Sequence, residues 1–300
     1  MDIKIHDPNI VSISAELNTQ NIILVDKKNN FVIKYNLNDN STSLLFVQKS
    51  SYFQIESGEL LNKPFGPSNV KCFALIVSAA ETWNFNLRDI YLYLLTSNNS
   101  IVSSLVFHRK ILIRKSVLFD DFANTQLLEL PSGNLLFSLT GTNELYKIFR
   151  FSNEHLNVDR PVKLKYNFQC MAICHVAEYF EYVVFALANR TFAVYRIEDE
   201  DDLIFVIHIP IQTNLLFDRI SNLIWDPNNK FLISKYFGES LLDIWTLTHA
   251  GGLTRRNEPL THQSETDALL EAKVFSFCLN RLIAFNSKKG QETLNIYQIS

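Results

Sequence analysis

The chain has 300 residues, 47% of them hydrophobic and 20% charged, so it can bury a large core and is not disordered in composition. Its 28 basic and 31 acidic residues give a formal net charge of -3, which by itself requires neither a nucleic-acid nor a membrane-surface partner. Only 8 glycines, 8 prolines and 4 cysteines exclude collagen-like, proline-rich and disulfide-scaffold classes.

Short apolar segments rich in Val, Ile, Phe and Tyr run along the whole chain, separated by Asn, Ser, Asp and Gly. Many of them alternate with a period of two, and sustained helical spacing is hard to find. The pattern therefore predicts an all-β protein. The clearest predicted strands cover residues 21–25, 31–37, 43–47, 90–96, 135–139, 182–187, 191–197 and 203–209.

One short pattern repeats along the predicted strands: an aliphatic residue, an aromatic residue, any residue and an apolar residue. Each of the four clearest copies follows a strand and a polar turn, and these copies lie about 50 residues apart, close to the length of one propeller blade. The repeat predicts a β-propeller of about six to seven four-stranded blades. Its aromatic positions are Phe149, Tyr195, Trp245 and Tyr297, with a shifted copy at Tyr35 and a weaker one at Phe107.

Residues 220–234 closely resemble one repeat of the WD40 family. The first strand ends in Trp225, a turn containing Pro227 follows, and the next strand ends in Ser234. The resemblance implies a WD40-like β-propeller, a fold that usually serves in multi-subunit assemblies. However, the chain has no Gly-His dipeptide, and Thr246 stands where the family has its second signature Asp. The family's Asp-His-Ser-Trp hydrogen-bond network is therefore expected to be missing or remodelled in every blade.

A single propeller domain is expected over residues 1–300, with inserted loops near 58–68, 79–88 and 248–272. The last repeat ends with the chain, so its blade needs an outer strand from elsewhere. Residues 3–5 are the candidate, since closing the ring removes exposed strand edges. The alternative is a partial propeller that another subunit completes.

Two segments are the candidate partner-binding sites. In the first, Trp83, Phe85 and Arg88 stand among polar residues, and Trp and Arg are common interface anchors. The alternative is that these aromatic residues fold back and plug the ring. The second segment contains Arg255 and Arg256 within a stretch that is long for an ordinary loop.

The densest basic cluster contains Arg109, Lys110, Arg114 and Lys115, which flank a short apolar strand. These four side chains are the candidate phosphate contacts of a nucleic-acid-binding surface. They support the alternative that the protein is a nucleic-acid- or chromatin-associated propeller subunit.

Motifs that carry chemistry are missing from the sequence: it contains no GxSxG, GxGxxG, P-loop or HExxH pattern. No catalytic residue, cofactor site or metal site is therefore predicted, although an enzyme with a channel active site remains an alternative. Cys170 and Cys174 fall on one face of a predicted strand and are interpreted as buried thiols rather than a metal half-site. The acidic run 198–202 is interpreted as a solvated hairpin tip, in preference to a calcium site or a docking patch for a basic partner.

The N-terminal sequence MDIKIHDPNI has no basic region followed by an apolar region, so a secretory signal is not expected. No apolar run approaches the roughly 18 residues of a membrane-spanning helix, so membrane insertion is not expected either. These observations predict an intracellular protein, in the cytoplasm or the nucleus. The expected function is that of a non-enzymatic scaffold that binds other protein subunits of a multi-protein complex.

Overall fold

Six antiparallel sheets follow one another along the part of the chain that the computed structural model describes. Each sheet consists of strands that are consecutive in sequence and lie in sequential order, as in the blades of a propeller. The described residues are 10–15, 19–47, 53–63, 72–81, 84–96, 101–112, 125–139, 142–150, 156–158, 162–177, 180–211, 219–226, 230–236, 242–256, 272–278, 281–288 and 291–298.

The strands are numbered in chain order, and each blade begins with its innermost strand. Blade one contains β1 (Ile10–Ala15), β2 (Asn21–Asp26), β3 (Phe31–Asn36) and β4 (Thr42–Val47). Blade two contains β5 (Phe53–Leu60), β6 (Cys72–Glu81), β7 (Asn84–Thr96) and β8 (Ile101–Leu112). Blade three contains β9 (Thr125–Glu129), β10 (Leu135–Leu139), β11 (Glu144–Arg150), β12 (Leu156–Val158) and the two-residue β13 (Val162–Lys163), which also pairs with β11.

The second half of the ring is built in the same way. Blade four contains β14 (Phe168–Ala177), β15 (Phe180–Leu187), β16 (Thr191–Ile197) and β17 (Leu203–Pro210). Blade five contains β18 (Ile220–Asp226), β19 (Phe231–Tyr236), β20 (Leu242–Leu247) and β21 (Leu253–Arg256). Blade six contains β22 (Ala272–Cys278), β23 (Arg281–Lys288) and β24 (Gln291–Gln298), three strands among the described residues.

The inner strands close a ring. β1 packs on β5, β5 on β9, β9 on β14, β14 on β18 and β18 on β22, and β22 packs back on β1. The described residues thus form six blades, within the expected range of six to seven, and the ring closes within one chain. Residues 3–5, expected to complete the last blade, lie outside the described residues.

Polar side chains join the inner strands of neighbouring blades. The Gln126 side-chain amide on β9 bonds both backbone groups of Met171 on β14, accepting from its N–H at 2.6 Å and donating to its carbonyl at 3.0 Å. The side-chain Oε1 of Gln169 on β14 accepts a hydrogen bond from the backbone N–H of Ile220 on β18, at 3.1 Å. These amides satisfy backbone groups that an inner strand edge would otherwise leave unpaired.

The hydrophobic core lies in layers between neighbouring blades. The layer between blades four and five contains Phe192 and Trp245, whose rings meet edge to face with centroids 5.1 Å apart. Cys170 and Cys174 are buried in the same layer, as the interpretation of both as buried thiols requires. Burial raises the pKa of both thiols, so they stay protonated and unreactive.

The aromatic repeat marks the third strand of its blade in five of its six copies. These copies have Tyr35 on β3, Phe149 on β11, Tyr195 on β16, Trp245 on β20 and Tyr297 on β24. The sixth copy differs, because Phe107 lies on β8, the fourth strand of blade two. Blade two has unusually long strands of up to 13 residues, which also accounts for the long spacing between Tyr35 and Phe107.

All three expected loops are partly strand. Residues 79–88 mostly belong to the β6–β7 hairpin, which continues to Glu81 and resumes at Asn84, so an inserted loop there is wrong. Gly58 lies within β5, and a Cβ at this position would lie 2.6 Å from the Phe73 ring, so the close packing there requires a glycine. In the third segment, Leu253–Arg256 form β21, and 257–271 lie outside the described residues.

Candidate functional site

Blade five carries a buried polar network that joins its strands. The Trp245 Nε1–H donates to Ser234 Oγ at 2.9 Å, and the Tyr236 hydroxyl donates to Asp243 Oδ2 at 2.7 Å. Arg255 forms an ion pair with the other carboxylate oxygen of Asp243. Burial, and next the bond to Asp243, raises the pKa of Tyr236, so its hydroxyl stays protonated and donating. The WD40 network is therefore remodelled here: the Trp–Ser bond is present, and Tyr236, Asp243 and Arg255 surround it.

The two predicted partner-binding arginines on blade five are adjacent on β21, the outer strand. Arg255 is committed to Asp243, although 43% of its side chain remains exposed. The Arg256 guanidinium lies 4.3 Å from the centroid of the Phe231 ring, a cation–π contact within the blade. Both side chains therefore make stabilising contacts within their own blade.

The other predicted site residues fall on blade two or outside the described residues. Phe85 and Arg88 lie on β7, and Arg109 and Lys110 lie on β8; the structure describes the backbone of these four positions. Arg88 pairs with Ile111, so it and the basic pair are brought to the same end of one hairpin. The remaining three, Trp83, Arg114 and Lys115, lie outside the described residues.

The acidic run 198–202 forms the tight turn between β16 and β17, and one of its carboxylates is buried. Asp201 has a positive φ of 61° and is 2% exposed. Its carboxylate accepts bonds from the Ser132 N–H at 3.1 Å, from the Ser132 hydroxyl and from the Asn134 side-chain amide at 3.0 Å. The expectation of a solvated tip is therefore wrong for Asp201, which ties blade four to the first turn of blade three.

Glu198, Asp199 and Asp202 of the same turn are exposed. Glu198 pairs with Arg196, and Asp202 lies 3.6 Å from the Lys147 ammonium. The sequence-based interpretation as a hairpin tip is confirmed for these positions, and we call residues 198–202 the acidic tip.

Asp201→Ala is expected to lower the free energy of unfolding by roughly 2–3 kcal/mol, because it leaves the Ser132 N–H and the Asn134 amide without their charged acceptor. Urea unfolding followed by tryptophan fluorescence measures this loss. Asp199→Ala is the matched control, with an expected change within about 0.5 kcal/mol since Asp199 is exposed. Equal effects of both variants would contradict the assigned role of Asp201.

The outer strand of blade four, β17, exposes large apolar side chains. Ile204, Phe205 and Ile207 are 45%, 47% and 42% exposed. The sequence predicts a strand here but does not identify it as a surface, because inner and outer strands have the same apolar composition. A usable signal is the absence of any Lys, Arg, Asp or Glu from Leu203–Pro210 directly after an acidic turn.

Aromatic rings flank this strand on the side of blade three. The Phe205 ring lies 5.4 Å from that of Tyr195 and 4.6 Å from that of His208, measured between centroids. The His208 ring also lies 6.3 Å from Tyr166. Burial, and next the nearby Lys165 charge, lowers the pKa of His208, so its ring is largely neutral at physiological pH.

A buried carboxyl group lies between the inner strands of blades one and two. The Ser14 hydroxyl lies 3.3 Å from Glu59 Oε2. The pKa of Glu59 is raised to about 8, mainly by burial; the Ser14 hydrogen bond lowers it and the nearby Glu129 charge raises it. The Glu129 carboxylate accepts hydrogen bonds from the backbone N–H groups of Asn62 and Lys63. Glu59 is thus mostly protonated at pH 7.

No group of three or more metal-ligating side chains occurs among the described residues. In the same part of the chain, no helix has the length and hydrophobicity needed to cross a membrane. What the described surface offers is a rigid ring, an apolar outer strand and an acidic tip.

No known protein-family model and no curated protein matches the sequence, whereas solved structures match its fold. A chain in the crystal structure of the mitotic checkpoint complex is 12% identical, with 98% of this chain and 93% of that chain covered and a TM-score of 0.53. The Cps50 (Swd1) β-propeller domain of Myceliophteria thermophila is 11% identical, with all of both chains covered and a TM-score of 0.52. Luciferin-regenerating enzyme is 12% identical, with 98% and 91% covered and a TM-score of 0.53.

Identities this low show the fold alone, and the fold is a β-propeller, as the repeat predicts. The similar structures include a chain of a multi-protein complex and an enzyme. The fold therefore does not choose between these functions, and the choice depends on the surface of this chain.

Proposed function

We propose that this protein is a non-enzymatic interaction platform, a subunit of an intracellular multi-protein complex that binds other protein subunits. The observation that carries the proposal is the apolar outer strand of blade four, where three large hydrophobic side chains are each more than two-fifths exposed. Large apolar side chains that are exposed together on one strand of a folded protein are typical of binding surfaces.

Two further features support the proposal. Asp201 and the Gln126 amide are engaged in holding neighbouring blades together, and so are not available to a substrate. Cys170 and Cys174 are free thiols in the core, which fits a reducing, intracellular environment.

Affinity purification of the tagged full-length chain from its own cells, followed by mass spectrometry, tests the proposal. The purification is done at about 0.1 M and about 0.5 M salt, because high salt removes partners held only by exposed charges. Proteins that remain in stoichiometric amounts at high salt are the expected result, with an unrelated propeller carrying the same tag as the control.

Two results would contradict the proposal. Recovery of the chain alone at both salt concentrations would remove the basis for a complex subunit. Recovery with nucleic acid that is lost at high salt or after nuclease treatment would instead favour the basic hairpin of blade two, which carries Arg88, Arg109 and Lys110, as the working surface.

A further inference from the structure

The strand β17 has one open edge. It pairs with β16 on one side, and on the other side no strand pairs with it among the described residues. The backbone N–H and C=O groups that point outward from an edge strand are free to pair with another chain. β17 has eight residues, and such groups lie on both sides of the register shift between Phe205 and Ile207.

This edge lacks the charges that usually protect an outer strand. Natural proteins place Lys or Pro on an exposed edge to prevent pairing with other chains. β21 carries Arg255 and Arg256, whereas β17 has Pro210 only at its last position and no charged residue before it. Of the five large hydrophobic side chains that are exposed in the described part of the chain, three lie on β17.

Both faces of β17 are apolar, which restricts the side chains of an added strand. Ile207 pairs with Val194, which belongs to the layer between blades four and five. Phe205 pairs with Tyr195, which packs against the layer between blades three and four. An added strand would extend both layers, so aliphatic or aromatic side chains are favoured on each of its faces.

The acidic tip lies directly before β17 and determines the charge at one end of the added strand. It holds five carboxylates, and two described cations, Arg196 and Lys147, face them. The tip therefore has an excess of negative charge, and a Lys or Arg on a bound segment would offset it.

We propose that β17 is a docking strand that binds an extended, apolar segment of another protein by adding it to the edge of blade four, with a Lys or Arg of that segment beside the acidic tip. This inference rests on the proposed function and names the kind of partner the platform accepts. A second copy of the chain fits less well, because its own β17 brings no Lys or Arg to the tip.

Selection from a random dodecapeptide library displayed on phage, with the full-length chain immobilised, tests the inference without knowledge of the natural partner. Enriched peptides are expected to be rich in Val, Ile and Phe and to carry Lys or Arg towards one end. A synthetic peptide of the enriched sequence is expected to slow hydrogen exchange of the amides in 203–210.

Ile207→Lys places a charge on the open edge and is expected to weaken binding of that peptide at least tenfold. Because Ile207 is exposed, we expect the variant to fold, and Ile204→Lys is a second variant of the same kind. Leu44→Lys is the matched control: Leu44 is 37% exposed on β4, the outer strand of blade one, and its variant is expected to bind like the wild type.

The inference is overturned if the library yields no enriched peptide, if the enriched peptides are acidic, or if Ile207→Lys and Leu44→Lys bind equally well. Sedimentation of the free protein tests the other occupant: a wild-type dimer that Ile207→Lys makes monomeric would assign the edge to a second copy. The peptide experiment could fail while the affinity purification still recovers stoichiometric partners. That result would support the platform function and would show that β17 is not its binding surface.

Discussion

Trp245→Ala is expected to lower the free energy of unfolding by about 3–5 kcal/mol, the usual cost of removing a large aromatic side chain from a core. Trp245 is 4% exposed, meets the Phe192 ring edge to face and donates its indole N–H to Ser234. Its removal leaves a cavity between blades four and five and takes the donor from a buried hydroxyl. Urea unfolding at pH 7 measures the change.

Trp245→Phe separates the two contributions. The phenyl ring keeps most of the apolar contact and loses the hydrogen bond, so we expect a loss of about 1–2 kcal/mol. Thr254→Ala on the neighbouring strand β21 is the matched control, since Thr254 is exposed. If Trp245→Ala unfolded at the same urea concentration as the wild type, the placement of blade five against blade four would be wrong.

The stability of the wild-type protein is expected to fall as the pH rises from about 4.5 to about 8 because of Glu59. Its folded-state pKa is raised from 4.5 to about 8, so in this range the folded state holds a proton that the unfolded state has lost. Below about pH 4.5, Glu59 does not change the free energy of unfolding. Above about pH 8, it lowers the free energy of unfolding by the full amount. At about 1.4 kcal/mol for each pH unit, the difference between these two values corresponds to at most about 5 kcal/mol over the range.

Glu59→Gln keeps the shape of the side chain and removes its titration. Urea unfolding between pH 5 and pH 9 is therefore expected to show a flatter profile for the variant, which gains most relative to the wild type above pH 8. Asp199→Asn, at the exposed acidic tip, is the control and is expected to follow the wild-type profile. A wild-type profile already as flat as that of Glu59→Gln would contradict the burial of this carboxyl group.

The fold could be predicted from the sequence because its main signal is local. The aliphatic–aromatic repeat recurs at blade length and identifies the third strand at Tyr35, Phe149, Tyr195, Trp245 and Tyr297. The error at Phe107 has a physical cause: alternating apolar residues look the same on a third and a fourth strand, and only the pairing partner distinguishes them.

The contacts between blades could not be predicted, because they join residues far apart in sequence. Asp201 and Ser132 are separated by 69 positions, and no local pattern indicates that one acid in a run of five is buried. The expected partner site at Arg255 and Arg256 is largely committed to Asp243 and Phe231 for the same reason. The sequence predicts the strand β17 but not that its side chains are exposed, since their exposure depends on which strands pair.

The most direct test of the platform function is the native size of the full-length chain in an extract of its own cells. Sedimentation through a density gradient, with the chain detected by an antibody, compares it with purified chain of 34.6 kDa. We predict that most of the protein sediments as a larger assembly and that the assembly persists at high salt. If the protein in the extract sediments with the purified chain, it is not a subunit of a stable complex.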